Sequence, residues 1–461
     1  MRSVSRLATL AILASALAGT AVARDARAGT DAPFATGRAA SVIHAGTLLS
    51  VPGSRPHDGQ SIVVADGRIV SVTDGFISPA AAGYPDAATI DLTDRFVLPG
   101  LIDSHVHMTS TPSASFQLDR VVQSDAHRAI WGAANARVTL LAGFTTVRDT
   151  AGYRGDSFAS VFALRDGIRA GKIPGPRLLV AGQGVGSLAS QGDFLGYRSE
   201  VMDLFRSRAM CSGPYACREA VRYLVKRGAD FIKMVPTGWA TGVGDGGGGG
   251  DQQHMFADEM RAVVETAHKF GRKVTAHATG LDGVKAALRA GADAIEHGRV
   301  LDREAIALFK ETGAYLVPTL LVTTRFTAHG AGRVPGSARN LSRDQAPPLS
   351  ALAKEWFDST RMAYRGGVRI AFGTDSAITP HGHNAKEFAL LVDQVGMSPM
   401  EAIVTATVNA ADHLGLADEI GQLKPGMAAD IIAVAASPLD DVTELERVTF
   451  VMRAGVVHKN R

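Results

Sequence analysis

"FVLPGLIDSHVHM", residues 96–108, joins an apolar run to two histidines spaced by one residue. In an extended strand, residues two apart share a face, so His105 and His107 point the same way from the end of a buried strand. It is the first of eight such runs, followed by "FTTVRDTA", "RLLVAGQ", "DFIKMVP", "KVTAHAT", "AIEHG", "AYLVPTL" and "RIAFGTD". Between them, stretches such as "CREAVRYLVKRGA" and "DEMRAVVETAHKFGR" repeat apolar residues at three- and four-residue steps and close at or near glycine. Strands alternating with helices predict an α/β fold, a closed parallel (β/α)8 TIM barrel over residues 96–419. An open doubly wound sheet would carry a Gly-rich phosphate loop after its first strand, and none follows this one.

Both flanks break the rhythm. Residues 39–95 ("SVIHAGTLLSV", "SIVVADGRIVSV", "ATIDLTD") and 420–461 ("GMAADIIAVAA", "VTFVMRAGVVHK") read as short strands with turns, predicting one composite β-sandwich built from both chain ends. At the N-terminus, Arg2 and Arg6 precede an apolar run and then Ala21-Val22-Ala23, the pattern of a signal peptide over residues 1–23. The expected location is periplasmic or secreted, with no membrane attachment after cleavage. The two cysteines, Cys211 and Cys217, suit a small-loop disulfide in an exported chain. Formal charge is only +3 over 461 residues, which argues against a nucleic-acid partner.

Histidines and carboxylates recur at the strand ends. His105 and His107 close strand 1, His277 strand 5, His297 strand 6 and Asp375 strand 8, with Lys233 at the same height on strand 4. Imidazoles and a carboxylate in this number suit Zn2+, with Mn2+, Co2+ and Fe2+ as alternatives. Lys233 stands among Phe231, Ile232, Met234 and Val235, where a bare ammonium is costly. Desolvation lowers a lysine pKa, and the neutral amine can take up CO2 as a carbamate, whose two oxygens can serve two metal ions. Two divalent ions therefore explain the buried lysine better than one. The loop "TGVGDGGGGGDQQH" after this strand reads either as a loose insertion or as a mobile lid over the site.

The motifs "PGLIDSHVHM", "IKM", "TAHATG", "IEHG", "FGTDS" and "GQLKPGMAADIIAV", taken in order, resemble the amidohydrolase superfamily. The similarity runs over residues 39–461, in the imidazolonepropionase-related branch with Xaa-Pro dipeptidases and ochratoxin-hydrolysing enzymes. It implies that His105, His107 and Asp375 hold one ion, His277 and His297 the other, and carbamylated Lys233 bridges them. Imidazolonepropionase itself uses one metal and no bridging lysine, so its substrate is not carried over. Asp375, His297 and Lys233 are the implied catalytic residues, Asp375 as general base and His297 as an aid in orienting the carbonyl. The implied reaction is hydrolysis of an amide next to a free carboxylate, in a small-molecule amide or dipeptide. A cyclic amide or lactone is the alternative. A homo-oligomer is the expected assembly. A non-catalytic scaffold is disfavoured because all six metal-site residues are present.

A substrate carboxylate calls for an Arg or His on the rim. His254 and Arg325 are the preferred candidates, with His381 after strand 8, and Trp239 as a pocket wall. Arg154 and Arg299 are further rim candidates, whereas Arg148 in "TTVRDT" reads as a structural ion pair with a neighbour.

Overall fold

The computed structural model describes residues 40–113, 115–151, 158–238, 252–324 and 349–461. The chain opens with strands β1 (Ser41–Leu48), β2 (His57–Ala65), β3 (Arg68–Asp74) and β4 (Ala88–Pro99). Strands alternating with helices follow: β5 (Leu101–Val106), β6 (Phe144–Asp149), β7 (Arg177–Val180), β8 (Gly184–Ser187) and β9 (Met210–Cys211). The series continues with β10 (Ile232–Val235), β11 (Val274–Ala278), β12 (Ala294–His297), β13 (Tyr315–Val317) and β14 (Arg369–Ile370). The chain ends with β15 (Ile431–Val434), β16 (Phe450–Arg453) and β17 (Val456–Asn460).

The end strands form one seven-stranded sheet in the order β17-β16-β15-β4-β1-β2-β3. In place of the two stacked sheets of the expected sandwich, hydrogen bonding is continuous. The reason is the length of β4: it pairs parallel with β1 and, through Phe96–Pro99, antiparallel with β15. The far edge curls back, with Ile69 N donating to Met427 O at 2.9 Å and Ala429 N to Gly67 O at 2.9 Å. Ile43, Ile62, Leu92, Val97, Ile431 and Phe450 fill the space so enclosed.

The middle strands are all parallel, in the orders β5-β6-β7 and β14-β13-β12-β11-β10-β8-β9. Bonds join the two sets at both edges. Asp230 N, just before β10, donates to Val180 O of β7 at 2.8 Å. On the other side, Ser104 N donates to Phe372 O at 2.8 Å, Asp375 N to His105 O at 2.8 Å and His107 N to Ser376 O at 2.9 Å. The single run "RLLVAGQ" is interrupted after Val180, so β7 pairs with β6 while β8 pairs with β10. Gly373 permits the approach of β5 to the segment after β14, because a Cβ there would stand 3.0 Å from His105 Cβ. That approach carries Asp375 to the two histidines. A disulfide joins Cys211 on β9 to Cys217 in the helix Pro214–Lys226.

Candidate active site

The predicted metal residues converge. His105, His107, Lys233, His277, His297 and Asp375 line one cavity, with Thr150, Ala151, Gln183, Gly184, Gln191, Gly192 and Val235. His105 Nε2 lies 3.6 Å and His107 Nε2 3.0 Å from Asp375 Oδ1. The His277 and His297 rings are 4.6 Å apart between centroids, and those of His105 and His297 5.0 Å. All six residues are buried.

Each imidazole is aimed by a bond from its other nitrogen. His105 Nδ1 donates to Glu296 Oε2 at 2.6 Å, and His107 Nδ1 to Ala151 O at 2.5 Å. His277 Nε2 donates to Gly238 O at 3.1 Å, which puts the lone pair of the neutral ring on Nδ1. His297 Nδ1 meets Thr319 Oγ1 at 2.8 Å, and Trp356 Nε1 donates to His297 O at 3.0 Å. The latter matters because His297 and Asp375 have φ of 72° and 55°, a left-handed backbone that costs a non-glycine residue about 1–3 kcal/mol and persists only where surroundings enforce it.

Burial, with Lys233 nearby, pushes the His105 and His277 pKa values down to about 4 and about 3. Burial and the neighbouring imidazoles hold His297 well below the usual range. These rings are therefore neutral, as metal ligands must be. His107 goes the other way: burial would lower it, but the Asp375 carboxylate outweighs burial and raises it. Burial would also raise Asp375, yet His105, His107 and Lys233 together hold it below the ordinary value. Burial lowers the Lys233 amine to about 8, against the pull of Glu296 and Asp375.

Sequence reasoning missed the groups behind this layer. Glu296 accepts from His105, from Arg148 Nη2 at 2.5 Å and from Thr275 Oγ1, all in the interior. Arg148 also donates through Nε to Ser104 O at 2.7 Å and covers the Phe231 ring at 4.8 Å. Its reading as a structural ion pair holds, but the partner is Glu296, far along the chain, in place of the expected neighbour. Asp103 accepts from His105 N at 3.0 Å, Thr374 Oγ1 at 2.6 Å and Asn384 Nδ2 at 2.7 Å, tying β5 to the segment bearing Asp375. An isolated acid inside "AIEHG" was the available signal for Glu296.

The rim candidates fare differently. His381 is buried, with Nε2 against Ser110 O at 2.9 Å, and neither it nor His254 lines the cavity. His254 is held instead by its backbone, donating to Pro236 O at 2.7 Å. Arg299 is buried and paired with Glu355. Trp239, Arg325, Arg154 and most of the glycine run lie outside the described residues, as do residues 1–23.

The donor set fits divalent metal. One ligand atom from each of His105, His107 and Asp375 lies within 4.8 Å of the others. Asp375 Oδ1 is buried and accepts no well-formed hydrogen bond among the described residues. A buried carboxylate oxygen facing two imidazole nitrogens is the arrangement a cation satisfies.

The Amidohydrolase family model matches residues 96–458. Ochratoxinase of Aspergillus niger is 31% identical over 439 residues, covering 91% of this chain and 86% of its own. Among solved structures, a Xaa-Pro dipeptidase with methionine bound in its active site aligns with TM-score 0.80 at 34% identity, over 92% of this chain and 100% of that one. The A. niger ochratoxinase structure aligns with TM-score 0.78 at 28% identity, over 92% and 96%. The chain belongs to the amidohydrolase family, on the side of its ochratoxinase and Xaa-Pro dipeptidase relatives, and is a hydrolase of C–N bonds.

Proposed function

We propose that this chain is an exported, binuclear metal-dependent amidohydrolase on a closed (β/α)8 barrel, cleaving an amide bond next to a free carboxylate. N-acyl amino acids and dipeptides are the substrate class, with ochratoxin-like amides included. The observation that carries the reading is the convergence of four imidazoles, Asp375 and Lys233 on one cavity. The names of the Aspergillus ochratoxinase and the Xaa-Pro dipeptidase support the choice of bond. Export is supported by the Cys211–Cys217 disulfide, since such bonds persist in oxidising compartments.

His105, His107 and Asp375 would hold one ion, His277 and His297 the second, with Zn2+ the best match to the donors. Lys233 Nζ, as the neutral amine, would add to CO2 and release a proton, giving a carbamate that would hold both ions. Bound ions supply an acidified water and a polarised scissile carbonyl. Asp375 takes the proton of the attacking water and delivers it to the leaving nitrogen. Glu296 and Thr319 hold His105 and His297 in register, so the ligand nitrogens need no reorganisation during turnover.

The test is a panel of N-acyl amino acids, Xaa-Pro dipeptides, ochratoxin A, cyclic amides and lactones, assayed before and after metal stripping. Hydrolysis of the carboxylate-bearing amides, lost on stripping and restored by Zn2+, is expected. Unchanged activity in the stripped protein refutes the metal mechanism, and preference for the cyclic compounds refutes the substrate class.

A further inference from the structure

The lining of the cavity includes hydrogen-bonding groups without a partner among the described residues. Gln183 is 2% exposed and lines the cavity. Its Oε1 accepts from Ser207 Oγ, and that hydroxyl in turn accepts from Ala209 N at 3.0 Å. With Oε1 taking the Ser207 hydroxyl proton, the amide is placed with Nε2 away from Ser207. Nε2 then has no partner among the described residues, and the same holds for Thr150 Oγ1 and Gln191 Oε1, which also line the cavity.

The backbone holds this position firmly. Gln183 lies in the break between β7 and β8, flanked by two glycines where a Cβ would collide: at Gly182 with Phe162 Cζ at 2.9 Å, at Gly184 with Val235 Cγ2 at 2.8 Å. A buried amide N–H group, immobilised on both sides and without a partner, is a defect in an ordinary core. In a substrate cavity it is a waiting donor.

We propose that Gln183 is a specificity-determining residue whose amide N–H binds a carboxyl-type oxygen of the substrate beside the scissile bond. This rests on the hydrolytic reading above and names its recognition element: a neutral donor from strand three of the barrel. A carboxylate and a carboxamide both present such an oxygen. Ser207 is a positioning residue for it.

The experiment compares wild type, Gln183→Leu, Gln183→Glu and Ser207→Ala on an N-acyl amino acid and its carboxamide, with metal content measured for each. Gln183→Leu is expected to raise KM about tenfold, the worth of one such bond, with kcat and metal content near wild type. Gln183→Glu places an anion there and is expected to penalise the carboxylate substrate more than the carboxamide. Ser207→Ala is expected to give a smaller rise in KM than Gln183→Leu. Losses confined to the carboxylate substrate identify the carboxylate as the bound group; equal losses identify the carbonyl oxygen common to both. KM within twofold of wild type in Gln183→Leu, with metal intact, overturns the proposal. If wild type cleaves neither compound, the hydrolytic reading fails separately, and calorimetric binding of the uncleaved N-acyl amino acid decides: equal affinity in wild type and Gln183→Leu overturns the role of Gln183, and a tenfold loss sustains it.

Discussion

Replacing Glu296 by Gln keeps its size and removes its charge, in a place where three groups depend on that charge. Arg148 is 3% exposed and its guanidinium would keep one anionic partner fewer, while His105 would lose the acceptor that fixes its ring and Thr275 its carboxylate partner. Removing one partner of a buried ion pair costs about 3–5 kcal/mol, since the other charge stays desolvated. With an unfolding entropy of about 2.1 cal/mol/K per residue, a chain of 461 residues loses roughly 1 °C of melting temperature per kcal/mol. The expected shift is thus about 3–5 °C by calorimetry, with a matching fall in the urea midpoint. Turnover should fall roughly 10- to 100-fold, as is usual when a group orienting a metal-ligating histidine is removed. A second variant separates the two effects: Glu296→Gln with Arg148→Met removes the stranded cation, so stability should recover in part while turnover does not. A single variant within about 1 kcal/mol of wild type, or a double variant whose turnover recovers along with its stability, refutes the reasoning.

Lys233→Ala and Lys233→Arg, neither able to form the carbamate, should both lose bound metal and turnover; near-normal metal content and rate in either would contradict the bridging role. Burial raises the Glu387 carboxyl to about 8, against hydrogen bonds from Leu320 N and Leu321 N. Its folded pKa lies above the unfolded value, so the folded state holds a proton that the unfolded chain has released, and stability falls as pH rises from about 4 through 8, by roughly 5 kcal/mol in all. Glu387→Gln should flatten that slope in urea melts between about pH 5 and 8, and an unaltered slope would assign it elsewhere. Replacing both Cys211 and Cys217 by Ala should cost about 2 kcal/mol, from the entropy of one short loop in the unfolded chain, with turnover retained. A urea midpoint unmoved by the replacement would mean that the bond does not form.

The residues that converge on the cavity were legible because most carry their own local contradiction: a histidine or lysine at the end of an apolar strand is out of place without a reason. The alternation of His105 and His107 needs only strand geometry to bring both to one side. The same logic applied to Glu296 would have flagged it, but its neighbour His297 drew the reading, and nothing local to "AIEHG" points to Arg148. The rim was hardest to read. Charge type suggested His254, His381 and Arg299, yet two are committed to contacts elsewhere in the interior or at its edge, and His254 stands off the cavity.

By itself the sequence determined the kind of chemistry: periodicity set strands and helices, and residue type at strand ends set a nitrogen and oxygen donor site. Only the tertiary structure decided which nitrogen each imidazole offers, which acid faces Arg148, and that the two chain ends share one sheet through β4. The division has one physical cause. Strand and helix preferences act between residues a few positions apart, whereas the tautomer of a histidine and the aim of Gln183 are set by partners brought together only when the strands close around the cavity.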